Sequence, residues 1–413
     1  MKATDEAEVV VVGGGVAGSA LAIALARAGH AVTILEKSVE HVDRVRGEWL
    51  APWGVAETER LGLYNLLLEA GGHHLDLHIP YSEELAPETA VSEAIDLRAF
   101  APSLKSPLCL RHPVMCDLLN DEARRSGVTL LRGVSEVDLR PGVKPELTYR
   151  HRGAARSIKP RIVVGADGRN SMVRNLAGIK LHRDPNHHLM TGMLVDKVEG
   201  WPAGLETMGT EEDINFLVFP QSATRARLYI CYRSDQKSRF AGEGAQQRFL
   251  DAFRLTSVPG SEYLANGVPA GPCNSYGNED TWTESPLAPG VILVGDCAGH
   301  NDPIIGQGLS IAYRDARIVR DLMLENRQWS PAIFQPYVEE RSERMRRLRF
   351  VAGLLSVMFA EFGPEAKARR LRIREKFRKD PLAAGAQAVA LVGPEVVPAE
   401  VFTEEYRQSL LYS

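Results

Sequence analysis

Hydrophobic positions along the chain change their period several times, and each change marks an element. Residues 8–12 (EVVVV) form a nearly continuous apolar run of strand length, as expected of a strand covered on both faces in a parallel sheet. The run stops at Gly13-Gly14-Gly15-Val16-Ala17-Gly18. Residues 19–28 are then rich in alanine and leucine and predict a helix closed by Gly29. Residues 31–35 predict a second strand, ended by Glu36, and a polar loop leads on to a helix signal at residues 55–61. Arg111 opens a further helix in which Val114, Leu118 and Leu119 recur at helical spacing, with Pro113 suited to the first turn. Residues 129–131 give a short strand.

The later chain repeats the strand-turn-helix order twice. Residues 162–164 predict a strand, Gly165-Ala166-Asp167-Gly168 a turn, and residues 169–174 the start of a helix. Residues 190–195, 215–220 and 227–233 alternate or run apolar and read as antiparallel strands. Residues 291–312 then give a strand, an acidic turn, Pro303 and a glycine-rich helix start, with the helix continuing over residues 315–324. Residues 337–359 have helical periodicity and carry Arg341, Arg344, Arg346, Arg347 and Arg349 in their first half. Residues 367–379 are strongly basic, and beyond Pro381 the composition turns to alanine, valine and proline, suggesting a short tail.

Two glycine-rich strand-to-helix turns at opposite ends of one chain suggest one extended cofactor held by both. Such turns aim unpaired backbone amides at an anion or an electron-rich ring. In the first, Gly13 permits the tight turn, Gly15 lets the backbone approach a pyrophosphate, and Gly18 lets the helix lie close to the strand. Glu36 stands about 20 residues further on, where a carboxylate accepts hydrogen bonds from a ribose diol and repels a 2′-phosphate. NAD or FAD fits this site and NADP does not; the first motif alone leaves NAD and FAD open. Arg44, Arg46 and Gly47 follow the second strand, where close arginines meet phosphates or an anionic substrate, or form a plain solvated loop. Asp167 reads equally well as a helix cap.

Composition changes this picture little. At 413 residues and 45.4 kDa the chain is long enough for two or three cores, and a net charge of −4 gives no sign of a nucleic-acid partner. Five cysteines, Cys109, Cys116, Cys231, Cys273 and Cys297, lack zinc or redox spacing and read as reduced and structural. His187-His188 has no partner ligands, so no metal is expected. The first eight residues lack a charged-apolar-cleavage pattern and no run approaches the ~20 apolar residues of a membrane span. The expectation is a cytoplasmic monomer or homodimer. The basic stretch 367–379 reads as a solvated helix face, or as contact with an anionic membrane surface or partner.

Together these segments resemble the group A, single-component flavoprotein monooxygenases typified by para-hydroxybenzoate hydroxylase, over about the first 325 residues. The resemblance implies an α/β fold: a Rossmann-like, glutathione-reductase-type FAD-binding domain with an inserted antiparallel-sheet substrate domain and a C-terminal helical region. The FAD domain would comprise residues 1–77, 96–180 and 285–330, the substrate domain residues 78–95 and 181–284, and the helical region and tail residues 331–413. FAD would be held by Gly13, Gly15, Val16, Ala17, Gly18, Glu36 and Lys37, then by Arg46, Gly47, Arg111, Val134 and Asp167. The third motif would add Asp296, Pro303, Gly306, Gly308 and Leu309, with Arg46, Pro303, Gly308 and Leu309 around the flavin ring.

The resemblance also implies the reaction: NAD(P)H as transient co-substrate, O2, and hydroxylation of an aromatic or polycyclic small molecule through a flavin C4a-hydroperoxide. A helix start near Gly308 stabilises negative charge on the reduced ring. Met193, Phe216 and Tyr232 are the candidate substrate-lining residues, against a reading as core. A base for a phenolic substrate is not evident; His78, His112, Tyr229 and Tyr232 are all open. One position departs from the family. Gly299 stands where a histidine is usual and His300 follows it, a form similar to the geranylgeranyl reductase branch, which makes flavin-dependent double-bond reduction the alternative. A flavin halogenase is disfavoured because residues 216–220 read FLVFP, and a non-catalytic flavin-binding adaptor at a membrane surface is the third class.

Overall fold

The computed structural model describes residues 4–5, 7–45 and 47–412. In chain order, the first half contributes β1 (Val9–Val12), α1 (Val16–Arg27), β2 (Val32–Glu36), β3 (Leu77–Ile79), α2 (His112–Arg125), β4 (Thr129–Arg132) and β5 (Ile162–Gly165). The second half contributes β6 (His188–Asp196), β7 (Leu205–Glu211), β8 (Ile214–Ser222), β9 (Arg225–Arg233) and β10 (Val291–Leu293). Helices follow: α3 (Gly308–Glu325), α4 (Gln335–Phe359), α5 (Pro364–Lys379), α6 (Gly385–Val392) and α7 (Glu404–Tyr412).

β10, β5, β1, β2 and β4 lie side by side, all parallel, in a six-stranded sheet whose outer member Leu287–Ala288 is antiparallel. Alternate residues of these strands enter different cores. Val9, Val11, Ile34, Ile162 and Val164 pack with α1, α2 and α3. Val10, Val12, Leu35 and Val163 pack beneath an antiparallel meander over residues 135–158. Both faces are covered, which is why β1 reads as an unbroken valine run.

A second, eight-stranded sheet has the order Val268–Pro269, β6, β9, β8, β7, β3, Ile95–Asp96, with Asn274–Asn278 also paired to β6. Its β6–β9 and β8–β9 pairings are antiparallel, as the alternation predicted, while β7 and β3 run parallel. β7 was not legible in the sequence because its inward positions are polar. Thr207 Oγ1 donates to the Ile79 carbonyl at 2.6 Å, and Asn215 Nδ2 of β8 donates to the Gly209 carbonyl at 2.8 Å.

The C-terminal region is no loose tail. Met345, Leu348, Val351, Leu354, Leu355 and Met358 of α4 form a third core with Ile373, Val389, Val401, Phe402, Leu410 and Leu411. Among the described residues, no helix is long and apolar enough to cross a membrane.

Candidate active site

The first glycine turn is fixed from three sides. The Gly14 amide donates to Glu36 Oε2 at 2.6 Å, and the Gly14 carbonyl accepts from Asn120 Nδ2 of α2 at 2.7 Å and from Ser19 Oγ at 3.1 Å. Gly13 has φ +110, and a Cβ there or at Gly18 would overlap backbone carbonyl oxygen, so both glycines serve close packing. Gly15 differs: a Cβ there would meet nothing within 4 Å. It opens into a cavity of about 1670 Å³ together with Gly13, Val16, Ala17, Glu36 and Lys37. Gly18 does not line that cavity, and Asn120 is a determinant that sequence reasoning missed.

The third motif supplies the far wall. Asp296, Pro303, Gly306, Gly308 and Leu309 all line the same cavity, as do Val134, Asp167 and Gly47. Gly47 reaches the motif directly, since a Cβ on it would lie 3.8 Å from Leu309 Cγ. Asp167 accepts from the Met172 and Val173 amides at 2.7 and 3.1 Å in the first turn of the helix Met172–Leu176, whose N-cap is Ser171. Arg111 sits just before α2, half-buried, and does not line the cavity; among the described residues its buried Nε has no hydrogen-bond partner. Arg46 lies outside the described residues.

What holds the third motif in place is a buried ion network that the sequence presented only as basic helix. Asp315 of α3 is fully buried; its Oδ2 accepts from the Gly295 amide at 2.8 Å and from Arg341 Nε at 3.0 Å, and its Oδ1 accepts from Arg344 at 2.6 Å. The rest of the Arg341 guanidinium donates to the carbonyls of Gly295, Ala298 and Gly299 at 3.0–3.1 Å. One arginine of α4 thereby binds three carbonyls of the loop that carries Asp296.

A strained loop after β2 is tied to the second sheet. Val45 is β-branched yet has φ +55, a conformation costing of order 1–3 kcal/mol. Its amide donates to Asp43 Oδ1 at 2.8 Å. Asp43 and Glu48 in turn hold Arg227 of β9, which is fully buried, at 2.6 and 2.8 Å. Burial raises the Asp43 carboxyl, but Arg227 and the Val45 amide together keep it below its ordinary value. The loop before Gly47 is therefore set by charges from the opposite sheet.

Met193, Phe216 and Tyr232, expected to line a substrate site, instead point to the outer face. They are fully buried and pack in one core with Phe240, Phe249 and Phe253. The cavity face carries their neighbours in register: Met190, Leu217, Phe219 and Tyr229, with Met208 and Tyr276. Both faces of β6, β8 and β9 are buried, so alternation does not reveal which one is covered by the domain's own helices, and one residue of register exchanges them.

The far end of the cavity is closed by the C-terminal helices through Leu355, Met358, Phe377 and Leu391. One face of the basic stretch of α5 is a clasp, while Arg372, Arg378 and Lys379 remain exposed. Arg370 pairs with Glu84 at 2.6 Å, and Arg374 and Arg378 both pair with Glu93. Arg370 and Glu84 are 7% and 3% exposed, whereas Arg378 is 53% exposed. Arg370→Ala is therefore expected to cost about 3 kcal/mol of stability, because Glu84 is left charged and dry. Arg378→Ala is expected to cost less than about 1 kcal/mol. Urea denaturation of the two variants reads the difference, and equal losses would contradict the clasp.

Beside Pro303 lies a buried polar cluster. Burial pushes the carboxyl of Asp302 up to about 8 and that of Asp280 up to about 7, while burial lowers His188 and His300 to about 4. His188 Nε2 and Asp302 Oδ1 are 3.7 Å apart, but these directions make both neutral, so they are not an ion pair at pH 7. Asp302 caps the turn Pro303–Ile305, accepting from the Ile304 amide at 2.9 Å. Gly299 has φ +107, and a Cβ there would stand 2.6 Å from the Trp282 Cα. The glycine at this position is explained by that crowding.

Residues 6–350 match the family described as FAD binding domain. The chain belongs to this FAD-binding family, and its cofactor is FAD. Squalene monooxygenase of Rattus norvegicus is 23% identical over 376 residues, covering 84% of this chain but 60% of the relative, so the chain spans about three-fifths of that protein's length. The 3-demethoxyubiquinol 3-hydroxylase of Escherichia coli is 27% identical over 356 residues, covering 83% of this chain and 85% of the relative. Among solved structures, p-nitrophenol 4-monooxygenase PnpA from Pseudomonas putida DLL-E4 superposes with a TM-score of 0.78 at 20% identity, covering 96% of this chain and all of that one. That likeness shows the fold.

The residues present fit the FAD that the family implies. The first turns of α1 and α3 have no side-chain cap, and a Cβ at Gly15 or Gly308 would enter open space, so bare amides are offered at both ends of one cavity.

Proposed function

We propose that the chain is an NAD(P)H-dependent flavoprotein monooxygenase that hydroxylates a large, mostly apolar aromatic or polycyclic small molecule. The observation that carries this reading is the continuity of one cavity, from Gly15 and Glu36, past Pro303 and Gly308, to an aromatic and aliphatic wall. FAD bound there supplies a ring that accepts hydride and activates O2. The protein's part is to orient and to exclude water. The amides of the first turn of α3 stabilise negative charge at the ring, while Asp296 and the Gly15 turn hold the rest of the cofactor. Phe219, Tyr229, Leu217 and Met190 give a substrate an apolar surface, and the helices carrying Leu355, Phe377 and Leu391 keep the site dry.

Gly299, on which the double-bond-reduction alternative rests, is crowded by Thr281 and Trp282, so packing accounts for the glycine without reference to the reaction. Arg370 and Arg374 of α5 are engaged by Glu84 and Glu93, which supports a structural role for that part of the basic stretch over the adaptor reading. The test is to follow NADH or NADPH and oxygen consumption by the purified yellow protein with candidate phenols and polycyclic hydroxyaromatics. Substrate-stimulated oxygen uptake with a product heavier by one oxygen atom is expected. Anaerobic reduction of the substrate, with no oxygenated product in air, would overturn the reading.

A further inference from the structure

We propose that His78 is the proton acceptor for an acidic hydroxyl of the substrate and that Glu206 positions it, so the preferred substrates are phenols or enols rather than isolated alkenes. This rests on the monooxygenase reading and narrows its substrate class. His78 of β3 and Glu206 of β7 are direct partners across the parallel pairing of these strands. Both line the cavity, and His78 Nδ1 lies 3.3 Å from Glu206 Oε1. The other carboxylate oxygen accepts from Trp49 Nε1 at 2.7 Å. The side chain of Glu206 is only 7% exposed, and that of His78 is 17% exposed. Among the described residues, Nε2 of His78 has no hydrogen-bond partner.

A buried carboxylate beside Nδ1 favours the tautomer with the proton on that nitrogen. The lone pair of Nε2 is then left for the cavity. The indole donor of Trp49 fixes Glu206 without neutralising it. The neighbouring groups do not compete. The Cys109 thiol is pushed well above its usual value by burial and by Glu206 and Glu48, and burial also raises the Tyr81 hydroxyl, so both stay neutral. Glu48 is bound to Arg227, Glu84 and Glu93 are bound to α5, and Asp96 on the adjacent strand is paired with Arg98.

Trp49 also relates the pair to the cofactor. A Cβ built at Gly306 would stand 3.0 Å from its indole, and the Phe219 ring lies 6.1 Å from it. The base is thus one indole from the loop that faces the flavin ring. In the step, the substrate O–H bond breaks, an N–H bond forms at Nε2, and the electron pair stays on the substrate oxygen. This leaves the conjugated ring or enol richer in electrons and a better acceptor of electrophilic oxygen. An alkene has no such proton to surrender.

Alizarin, a hydroxyanthraquinone whose anion absorbs at longer wavelength than flavin, is the probe, with unsubstituted anthraquinone as control. Added to the FAD-loaded wild type at a pH where free alizarin is neutral, it is expected to bind as the anion, its ionisation lowered by about one pH unit or more. His78→Gln should bind it neutral. Glu206→Gln, which still accepts from Trp49, should lower the ionised fraction about tenfold, a one-unit shift in the pH profile. FAD content and anthraquinone affinity should be unchanged in both. Anion bound equally by His78→Gln, or no bound anion in the wild type, would overturn the proposal. Dye ionisation with no NAD(P)H-driven oxygen uptake for any hydroxyaromatic would sink the monooxygenase reading and leave the base. Oxygenated product formed at an unchanged rate and pH profile in His78→Gln would do the reverse.

Discussion

Asp315→Asn is expected to destabilise the protein by about 3–5 kcal/mol and to release FAD, since two buried guanidiniums would lose their common anion. Asp315, Arg341 and Arg344 are all 3% exposed or less, so water cannot replace the missing charge. The same substitution disturbs the Gly295 amide, which Asp315 holds at the start of the cofactor loop. Burial alone would raise the Asp315 carboxyl, but Arg341 and Arg344 hold it below its ordinary value of 3.8. A depressed carboxyl contributes stability that is fully present above the unfolded value and is lost as pH falls through the folded one. The wild type should therefore lose this contribution only below about pH 4. The variant should lack it at neutral pH, and its pH-stability curve should be flatter in acid. Urea denaturation and flavin release measure both effects; an unchanged midpoint would contradict the network.

The parts of this molecule that were legible in its sequence are those where one element carries the whole message. The Gly13 turn, the β1 valine run, Arg111 at the start of α2 and the Gly308 helix start each depend on local rules of backbone and burial, and the structure has those elements. The network around Asp315 was not legible. Its members come from α3 and α4, and an arginine that binds three carbonyls has the same sequence as one in water. The same holds for Arg370 and Arg374, whose partners Glu84 and Glu93 lie more than two hundred residues earlier. Strand positions were found, but their facing was not. For β6, β8 and β9 the wrong apolar face was chosen three times over, since both faces are buried and only the tertiary arrangement distinguishes them. Glu206 sat unseen in a strand whose polar residues hid it.

If one FAD spans the cavity from the Gly15 turn to the Gly308 helix start, Gly15→Val separates binding from folding. Gly15 has φ −76, which valine tolerates, and a side chain there meets only the cavity. Gly18→Ala is the contrast. Its methyl would overlap the Gly13 carbonyl and crowd Val11 and Ala166 at 3.0 Å, so that variant should lose fold and flavin together. The deciding measurement is flavin absorbance per mole of purified chain, with circular dichroism recorded on the same samples. One FAD per chain is expected in the wild type. Gly15→Val should keep the wild-type dichroism and bind FAD at least about tenfold more weakly, a loss of about 1.4 kcal/mol or more. Full flavin occupancy in a folded Gly15→Val, or a wild-type chain that purifies without flavin and takes up none, would rule out a single FAD spanning this cavity.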